Sequence, residues 1–247
     1  MTFRGCRRPI AATPGGLTPG GLTPGIRDHP PVIRHLLAPV VPRAAAALNV
    51  PRRFPNADGA VLTFDDGPHP EGTPAVLELL GRAGARAMFF LIGEQVERRP
   101  ALAARIAAAG HAIALHGYRH RLQLRLTAAE LKADLARGQA MLEEVTQTKP
   151  AWHRPPYGIY SRDGLAAATQ AGLHPLLWSR WGKDWRKFTT PERIASRATG
   201  KLDKGDVILL HDADFYSARD SHRRTVAALE LILGELERRK IGTVLPV

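Results

Sequence analysis

Two adjacent carboxylates, Asp65 and Asp66, end a short apolar run that begins at Ala60, and Gly67 and Pro68 follow them directly. An apolar run of this length predicts a buried strand, and a Gly-Pro pair predicts its end. Neighbouring carboxylates can accept a proton or bind a metal ion, although Asp, Gly and Pro are also the ordinary residues of turns. The pair by itself therefore leaves both a simple turn and a chemical site open.

His116 and His120 form a second candidate pair, separated by four positions. A helical turn after the preceding apolar run would place both imidazoles on one face, as a shared metal ion requires. With an aspartate from the first strand end they make a set of two histidines and one carboxylate. Such a set leaves a coordination position for water, which is typical of catalytic zinc sites, although other divalent metals use the same ligand types.

The elements that must position these pairs alternate between strand and helix. Apolar runs predict strands at 60–64, 87–92, 112–116, 151–154, 175–179, 207–211 and 243–247. Helices are predicted at 73–83, 100–109, 127–145, 161–171, 190–198 and 221–239, with Thr73 as an N-cap and Thr127 and Glu130 at capping-box spacing. This alternation implies right-handed crossovers and a parallel sheet, so about seven units predict an α/β fold closed into a (β/α) barrel.

In a (β/α) barrel the loops that follow the strands meet at one face, and active sites lie there. Five predicted strand ends carry residues able to bind a metal, move a proton or pair a charge. Turn chemistry alone does not account for so many. The five segments are 65–66, 116–120, 154–158, 178–185 and 209–212.

The 247 residues carry a formal net charge of +12, and 44% of them are hydrophobic. The hydrophobic content allows a large core and excludes a chain that is disordered throughout. The charge predicts attraction to anionic polymers, including an anionic envelope polymer, but the Arg residues are scattered and no nucleic-acid motif is present. No specific nucleic-acid partner is therefore predicted. The single cysteine, Cys6, excludes an intramolecular disulfide and a cysteine metal cage.

Residues 1–57 differ in composition from the rest and contain a Gly- and Pro-rich repeat at 15–25. They predict a flexible Pro/Gly-rich arm and linker with a short helix near 43–49, and the catalytic domain is expected over 58–247. No stretch reaches the roughly 20 apolar residues of a transmembrane helix or resembles a signal-peptide core. We therefore expect no transmembrane segment and no export signal. This leaves the location open, with the cytoplasm only as the default. A monomer is also expected.

Taken in order, these segments resemble the signature motifs of the polysaccharide deacetylases, the NodB-like carbohydrate esterase family 4. The matching residues are 63–68, His116 with His120, 154–158, Asp184 with Trp185, and 209–211. The resemblance covers about residues 58–247 and implies a distorted (β/α) barrel of the NodB-homology type. Two positions depart from the family pattern. Gly117 stands where Ser or Thr is usual, which affects a hydrogen bond that braces the metal loop, and Trp181 stands where Asp is usual, which indicates an altered substrate wall.

The resemblance implies that Asp66, His116 and His120 hold one divalent metal ion, with Zn²⁺ as the first expectation and Co²⁺ or Ni²⁺ as alternatives. It also implies that Asp65 is the general base, which takes a proton from the attacking water. Arg154 would pair its positive charge with Asp65.

For protonation of the departing amine, the resemblance implies that His211 is the general acid and that Asp184 favours its charged form. The backbone N–H of Tyr157 would stabilise the oxyanion. Leu209 would line the acetyl pocket, and Trp185 would offer the sugar an apolar platform.

These roles predict a metal-dependent hydrolase that removes N-acetyl groups from an amino-sugar polysaccharide or oligosaccharide: a chitin-like chain, peptidoglycan or poly-N-acetylglucosamine. One alternative is hydrolysis of a non-sugar amide on the same fold. Another is a non-catalytic glycan-binding module, which the intact acid and base argue against.

Overall fold

A computed structural model describes residues 41–246 of the chain. The arm and linker predicted for residues 1–57 lie outside this part as far as residue 40. The first described helix, α1, spans Val41–Ala47, slightly earlier than the helix predicted near 43–49. An isolated antiparallel bridge between Arg53 and Asp206 then connects the chain to the region around the main sheet.

Eight strands form one sheet in residues 41–246, and all of their pairings are parallel. They are β1 (Gly59–Asp65), β2 (Ala87–Leu91), β3 (Ala112–Leu115), β4 (Trp152–His153), β5 (His174–Pro175), β6 (Arg180–Trp181), β7 (Val207–His211) and β8 (Gly242–Thr243). The order is β5-β4-β3-β2-β1-β7-β6, and β8 pairs with β1. In this register the last residue of β1, Asp65, lies opposite the last residue of β7, His211.

Helices alternate with these strands. They are α2 (Gly72–Arg82), α3 (Gly93–Arg98), α4 (Pro100–Ala108), α5 (Ala128–Thr146), α6 (Arg162–Gln170), α7 (Pro191–Thr199) and α8 (Ser221–Arg238), with short 3₁₀ turns at Gln123–Arg125 and Pro156–Gly158. The predicted capping box of Thr127 and Glu130 is present at the start of α5 and satisfies two backbone N–H groups. None of the helices in residues 41–246 is long and apolar enough to cross a membrane.

The core lies around β1, β2 and β7, whose residues are all buried. Strands covered on both faces read as continuous apolar runs, which is why the sequence shows these three clearly. Phe64 of β1 and Phe89 of β2 stack with ring centroids 5.1 Å apart. Full burial of such a side chain contributes about 1.5–3 kcal/mol to folding. The packed strands therefore hold the polar residues at their ends in fixed positions.

The predicted distorted barrel is confirmed, and it is open: β5 and β6 are edge strands, with no pairing between them among the described strands. The strand predicted at 175–179 is wrong, because two short strands lie on either side of Leu176 and Leu177. Their carbonyl groups accept hydrogen bonds from the Arg154 guanidinium, and the carbonyl of Trp178 accepts one from Arg52. Side chains thus take the place of a neighbouring strand.

Other differences are smaller. Helix α2 begins at Gly72, so the predicted N-cap, Thr73, lies inside its first turn; its hydroxyl accepts the His69 N–H at 2.7 Å and donates to Asp212. The short helix α3 was not expected from the sequence. The last predicted strand is present only at Gly242–Thr243, and residue 247 lies outside the described residues.

Candidate active site

The carboxylates of Asp65 and Asp66 point in different directions because the backbone leaves the extended conformation at Asp66. Asp66 has a φ of 78°, a left-handed conformation that few residues other than glycine adopt. The alternation of side chains along β1 therefore ends at Asp65. Asp65 Oδ1 lies 2.7 Å from the Arg154 guanidinium. Asp66 Oδ1 lies 3.4 Å from both His116 Nε2 and His120 Nε2. Neighbours in sequence therefore belong to two different sets of contacts.

Asp66, His116 and His120 are all buried, and their candidate ligand atoms lie within 4.8 Å of one another. The 3.4 Å separations match the roughly 3.3–3.4 Å expected between ligand atoms placed tetrahedrally at zinc bond lengths. His116 Nδ1 lies 2.7 Å from the carbonyl oxygen of Arg154. A carbonyl only accepts, so Nδ1 carries the proton and Nε2 keeps its lone pair for a metal. The donor set therefore fits a divalent cation.

The helical turn predicted between the two histidines is wrong, because residues 116–120 form an irregular loop. Gly117 has a φ of 90°, which turns the chain away from helical geometry. Asp134 of α5 holds this loop: its carboxylate accepts the Tyr118 N–H at 2.8 Å, the Arg119 N–H at 3.3 Å and the Arg121 guanidinium at 3.2 Å. Asp134 therefore braces the loop that contains Gly117.

Tyr216 is a second residue that the sequence did not indicate. Its ring stacks on His120 with centroids 4.1 Å apart and an angle of 9°. Its hydroxyl donates to Glu94 at 2.9 Å and accepts from Gln95 at 3.2 Å. The stack and the two hydrogen bonds fix the orientation of the His120 ring from the loop that follows β7.

Arg154 is fully buried, and its guanidinium is held at several points. It donates to Asp65 Oδ1 at 2.7 Å, to the Thr63 hydroxyl at 2.9 Å, and to the carbonyl groups of Leu176 and Leu177 at 3.1 Å each. Burial lowers the pKa of Arg154, while the charge of Asp65 and the hydrogen bond to it oppose that change. A guanidinium stays protonated in proteins, so this is a fixed positive charge beside the carboxylate.

His211 is held by Asp184 in a similar way. Its ring Nδ1 lies 2.9 Å from Asp184 Oδ1, and its backbone N–H donates to Asp184 Oδ2 at 2.7 Å. The Thr225 hydroxyl donates to the same oxygen at 2.8 Å. Burial raises the pKa of Asp184, but the charge of His211 and these hydrogen bonds outweigh it, so the net pKa lies below its usual value. An ionised Asp184 fixes the Nδ1–H form of His211.

The predicted acid, base and substrate residues line one small pocket. Its walls are Asp65, His116, Tyr157, Gly158, Trp178, Trp181, Trp185, Leu209 and His211. Tyr157 stands in the 3₁₀ turn with a φ of 64°. Trp185 is only 3% exposed and stacks on Trp181, with centroids 4.4 Å apart. Trp185 therefore forms part of the pocket wall and offers little open surface, and Trp181 adds a second indole to that wall.

Asp212, which follows His211 directly, is fully buried and accepts a hydrogen bond from the Thr73 hydroxyl; no role is predicted for it from the sequence. Burial raises its pKa to about 7; the Thr73 hydroxyl opposes this, and the charge of Asp66 adds to it. A Cβ atom at Gly67 would lie 2.5 Å from the Asp212 carboxylate, so the turn after β1 requires glycine there.

A second cluster of the same residue types joins His69, Asp214 and His222. His69 Nδ1 accepts the N–H groups of Gly72 at 2.9 Å and Glu71 at 3.2 Å. The neutral ring therefore carries its proton on Nε2, which lies 3.3 Å from Asp214 Oδ1. Burial lowers the pKa of His69, and the charge of His222 lowers it further. With both ring nitrogens engaged in this way, His69 has no lone pair for a metal.

Comparison with known proteins identifies related chains. The family model described as Polysaccharide deacetylase matches residues 53–176. A peptidoglycan-N-acetylglucosamine deacetylase of Bacillus cereus is 36% identical over 179 residues, 72% of this chain and 81% of that protein. A chitooligosaccharide deacetylase of Bradyrhizobium is 37% identical over 185 residues, 72% of this chain and 84% of that protein. The crystal structure of a peptidoglycan N-acetylglucosamine deacetylase, in complex with an N-hydroxybenzamide compound, superposes with a TM-score of 0.73 at 30% identity and covers 79% of this chain and 89% of that chain.

Proposed function

The chain belongs to the polysaccharide deacetylase family, carbohydrate esterase family 4, and from that premise we propose that it removes N-acetyl groups from an amino-sugar polysaccharide or oligosaccharide. The proposed substrate is a chitin-like chain, peptidoglycan or poly-N-acetylglucosamine. The observation that carries the proposal is the meeting of Asp66, His116 and His120 with Asp65 at the pocket, where Asp65 Oδ2 lies 3.8 Å from His116 Nε2.

The family is metal-dependent. We propose that Asp66 Oδ1, His116 Nε2 and His120 Nε2 hold one divalent ion, Zn²⁺, which Co²⁺ or Ni²⁺ can replace because imidazole and carboxylate ligands suit all three. Such an ion, when bound, polarises the acyl oxygen and lowers the pKa of a water molecule.

Asp65 is proposed as the general base. Arg154 donates a hydrogen bond to Asp65 Oδ1, which fixes the orientation of the carboxylate. The other oxygen, Oδ2, then points toward His116. That oxygen accepts the proton of the water that attacks the amide carbon. Arg154 itself is tied to two backbone carbonyls, so the base does not depend on a mobile surface ion pair.

His211 is proposed as the general acid on the neighbouring strand. Asp184 holds its Nδ1, which leaves Nε2 as the nitrogen that donates to the departing amine. In the balanced reaction the amide C–N bond breaks, acetate keeps the oxygen of the water, and the amine leaves with a proton. The Tyr157 N–H is proposed to stabilise the oxyanion, and Leu209 with the indoles of Trp181 and Trp185 to enclose the acetyl methyl group.

The monomeric state stays a prediction. The domain boundary at residue 58 and the cytoplasmic location stay predictions.

The test is acetate release from N-acetylglucosamine oligomers by the purified chain. We expect acetate release to stop when a chelator removes the metal and to return when Zn²⁺ is added. Mass spectrometry of the oligomer should show the loss of one acetyl group for each acetate released. The matched control is the fully deacetylated glucosamine oligomer, which should release nothing. Absence of acetate from every N-acetylated oligomer and from peptidoglycan, with metal bound, would overturn the proposal.

A further inference from the structure

A cluster of positive side chains lies beside the pocket, on the loop between β6 and α7 and on the two helices that adjoin it. We call it the cationic rim; it consists of Lys183, Arg186, Lys187, Arg197 and Arg224. The ammonium group of Lys183 lies 5.6 Å from the centre of the Trp181 ring. Trp181 lines the pocket together with Asp65 and His211, so the rim is adjacent to the reaction site.

Two hydrogen bonds bring the helical members of the rim onto this loop. Arg197 of α7 donates to the Thr189 hydroxyl at 3.1 Å. Arg224 of α8 donates to the backbone carbonyl of Arg186 at 3.1 Å. Neither bond neutralises a charge, so the guanidinium groups are held in place as cations.

Some exposed arginines elsewhere in the described part of the chain are paired with carboxylates. Arg238 lies 2.6 Å from Glu235, and Arg223 lies 2.9 Å from Glu71. Within residues 41–246, no carboxylate oxygen lies within 4.0 Å of a rim nitrogen. In the same part of the chain, other exposed basic residues such as Arg105 also lack a carboxylate within this distance. The rim is distinguished because its unpaired charges are gathered beside the pocket.

The rim charges also act on one another. Burial lowers the pKa of Lys183, and the positive charges of Arg186 and Arg197 lower it further. Like charges collected without a counter-charge repel, and an anion that enters among them relieves the repulsion.

An exposed aromatic ring accompanies these charges. Phe188 is 86% exposed, and the ammonium group of Lys187 lies 5.3 Å from the centre of its ring. An open ring face of this kind packs on the apolar face of a pyranose. Charge and ring together are suited to a sugar that carries a negative group.

We infer that the cationic rim binds a carboxylate carried by the sugar next to the one being deacetylated, so that the substrate is an anionic amino-sugar glycan. This rests on the proposed function and narrows it. The relatives that act on peptidoglycan and on chitooligosaccharide are 36% and 37% identical, so identity does not choose between an anionic and a neutral polymer. Charge complementarity does, because a neutral oligomer carries no negative charge to pair with a group of cations.

The test compares three oligomers of equal length at low and high salt: a neutral N-acetylglucosamine oligomer, a peptidoglycan-type oligomer whose alternate sugars carry a carboxylate, and a phosphorylated N-acetylglucosamine oligomer. We expect kcat/KM for the carboxylate oligomer to exceed that for the neutral one by about ten-fold at low salt, through a lower KM. Added salt should reduce this preference, because the rim is exposed.

The double variant Arg186→Gln with Lys187→Gln should lose most of the preference and most of its salt dependence. The matched control is Arg105→Gln on α4, an exposed arginine whose helix contributes nothing to the pocket wall, and it should keep both. Equal kcat/KM of the parent on the neutral and carboxylate oligomers would overturn the inference, as would equal losses of the double variant on both. A preference for the phosphorylated oligomer would overturn the carboxylate assignment. Acetate from the neutral oligomer without any preference leaves the proposed function standing, whereas no acetate from any oligomer removes that function itself.

Discussion

Two clusters of one aspartate and two histidines lie in the described part of the chain, and each brings its ligand atoms within 4.8 Å. The first is Asp66 with His116 and His120, and the second is Asp214 with His69 and His222. Nitrogen–oxygen separations are 3.4 Å in the first and 3.3 and 3.4 Å in the second. Residue type and distance therefore do not distinguish a metal centre from an ion-pair cluster.

The two clusters differ in the hydrogen-bond partner of the imidazole Nδ1 of His116 and of His69. His116 turns its Nδ1 toward a carbonyl oxygen, so its Nε2 is bare and faces Asp66. His69 turns its Nδ1 toward two backbone N–H groups, so its Nε2 carries a proton and faces Asp214. The hydrogen-bond partner of the remote nitrogen thus decides which cluster can hold a cation.

The largest effect is expected from Asp65→Asn, beside the first cluster. An amide cannot accept the proton of the attacking water, so kcat should fall by about 10²- to 10⁴-fold while the metal stays bound. Acetate release and metal content are measured on the same sample. The matched control is Asp214→Asn in the second cluster, which should keep its activity. Near-full activity of Asp65→Asn with metal bound would show that Asp65 is not the base.

Asp134→Ala sharpens the comparison through the loop 116–120, which carries both histidines of the first cluster. Removing the acceptor of the Tyr118 and Arg119 N–H groups should loosen residues 116–120 and weaken metal binding by about 10- to 100-fold. Competition with a chromogenic chelator measures the Kd. Asp163→Ala, which removes an exposed acid from the first turn of α6, is the control and should bind metal normally. An unchanged Kd in Asp134→Ala would contradict the bracing role.

His69→Ala should affect stability and leave the metal in place. The change takes the acceptor away from the N–H groups of Glu71 and Gly72, at a cost of about 1–3 kcal/mol in the free energy of unfolding. Denaturant unfolding measures it. His69→Asn places an oxygen near the former Nδ1 and should recover part of the loss. Loss of metal from His69→Ala would break the distinction between the clusters.

The smallest effect expected is a pH dependence of the second cluster. The pKa of His69 is lowered in the folded protein, so below about pH 6.5 the unfolded chain binds a proton that the folded chain still rejects. The contribution of His69 is therefore present above that pH and is lost as pH falls through the lowered pKa. The unfolding free energy of the parent, compared with His69→Asn between pH 7.5 and 5, should fall more steeply; parallel curves would contradict this.

The sequence predicts the parts of the site that follow buried strands. β1 and β7 are continuous apolar runs, so their ends at Asp65 and His211 are visible without a structure. Asp134 and Tyr216 are not visible, because each acts through a contact with a residue far away in the chain, and neither belongs to a motif.

Two predicted features fail for a related reason. The strand predicted at 175–179 depends on backbone groups that Arg154 takes as hydrogen-bond acceptors, and a local apolar pattern carries no information about that guanidinium. The helical turn between His116 and His120 fails because Gly117 adopts a positive φ. Hydrophobic periodicity indicates where a segment forms a regular helix or strand. Here, contacts made by side chains of other elements determine the backbone conformation instead.

Zinc content measured on three proteins tests most directly the assignment of the ion to the first cluster. The parent, His120→Gln and His222→Gln are stripped with a chelator, reloaded with Zn²⁺ and analysed by mass spectrometry of the metal, with circular dichroism to verify folding. The account predicts about one ion per chain in the parent and in His222→Gln, and loss of the ion from folded His120→Gln. A folded His120→Gln that keeps its ion, or a His222→Gln that loses it, would contradict the account.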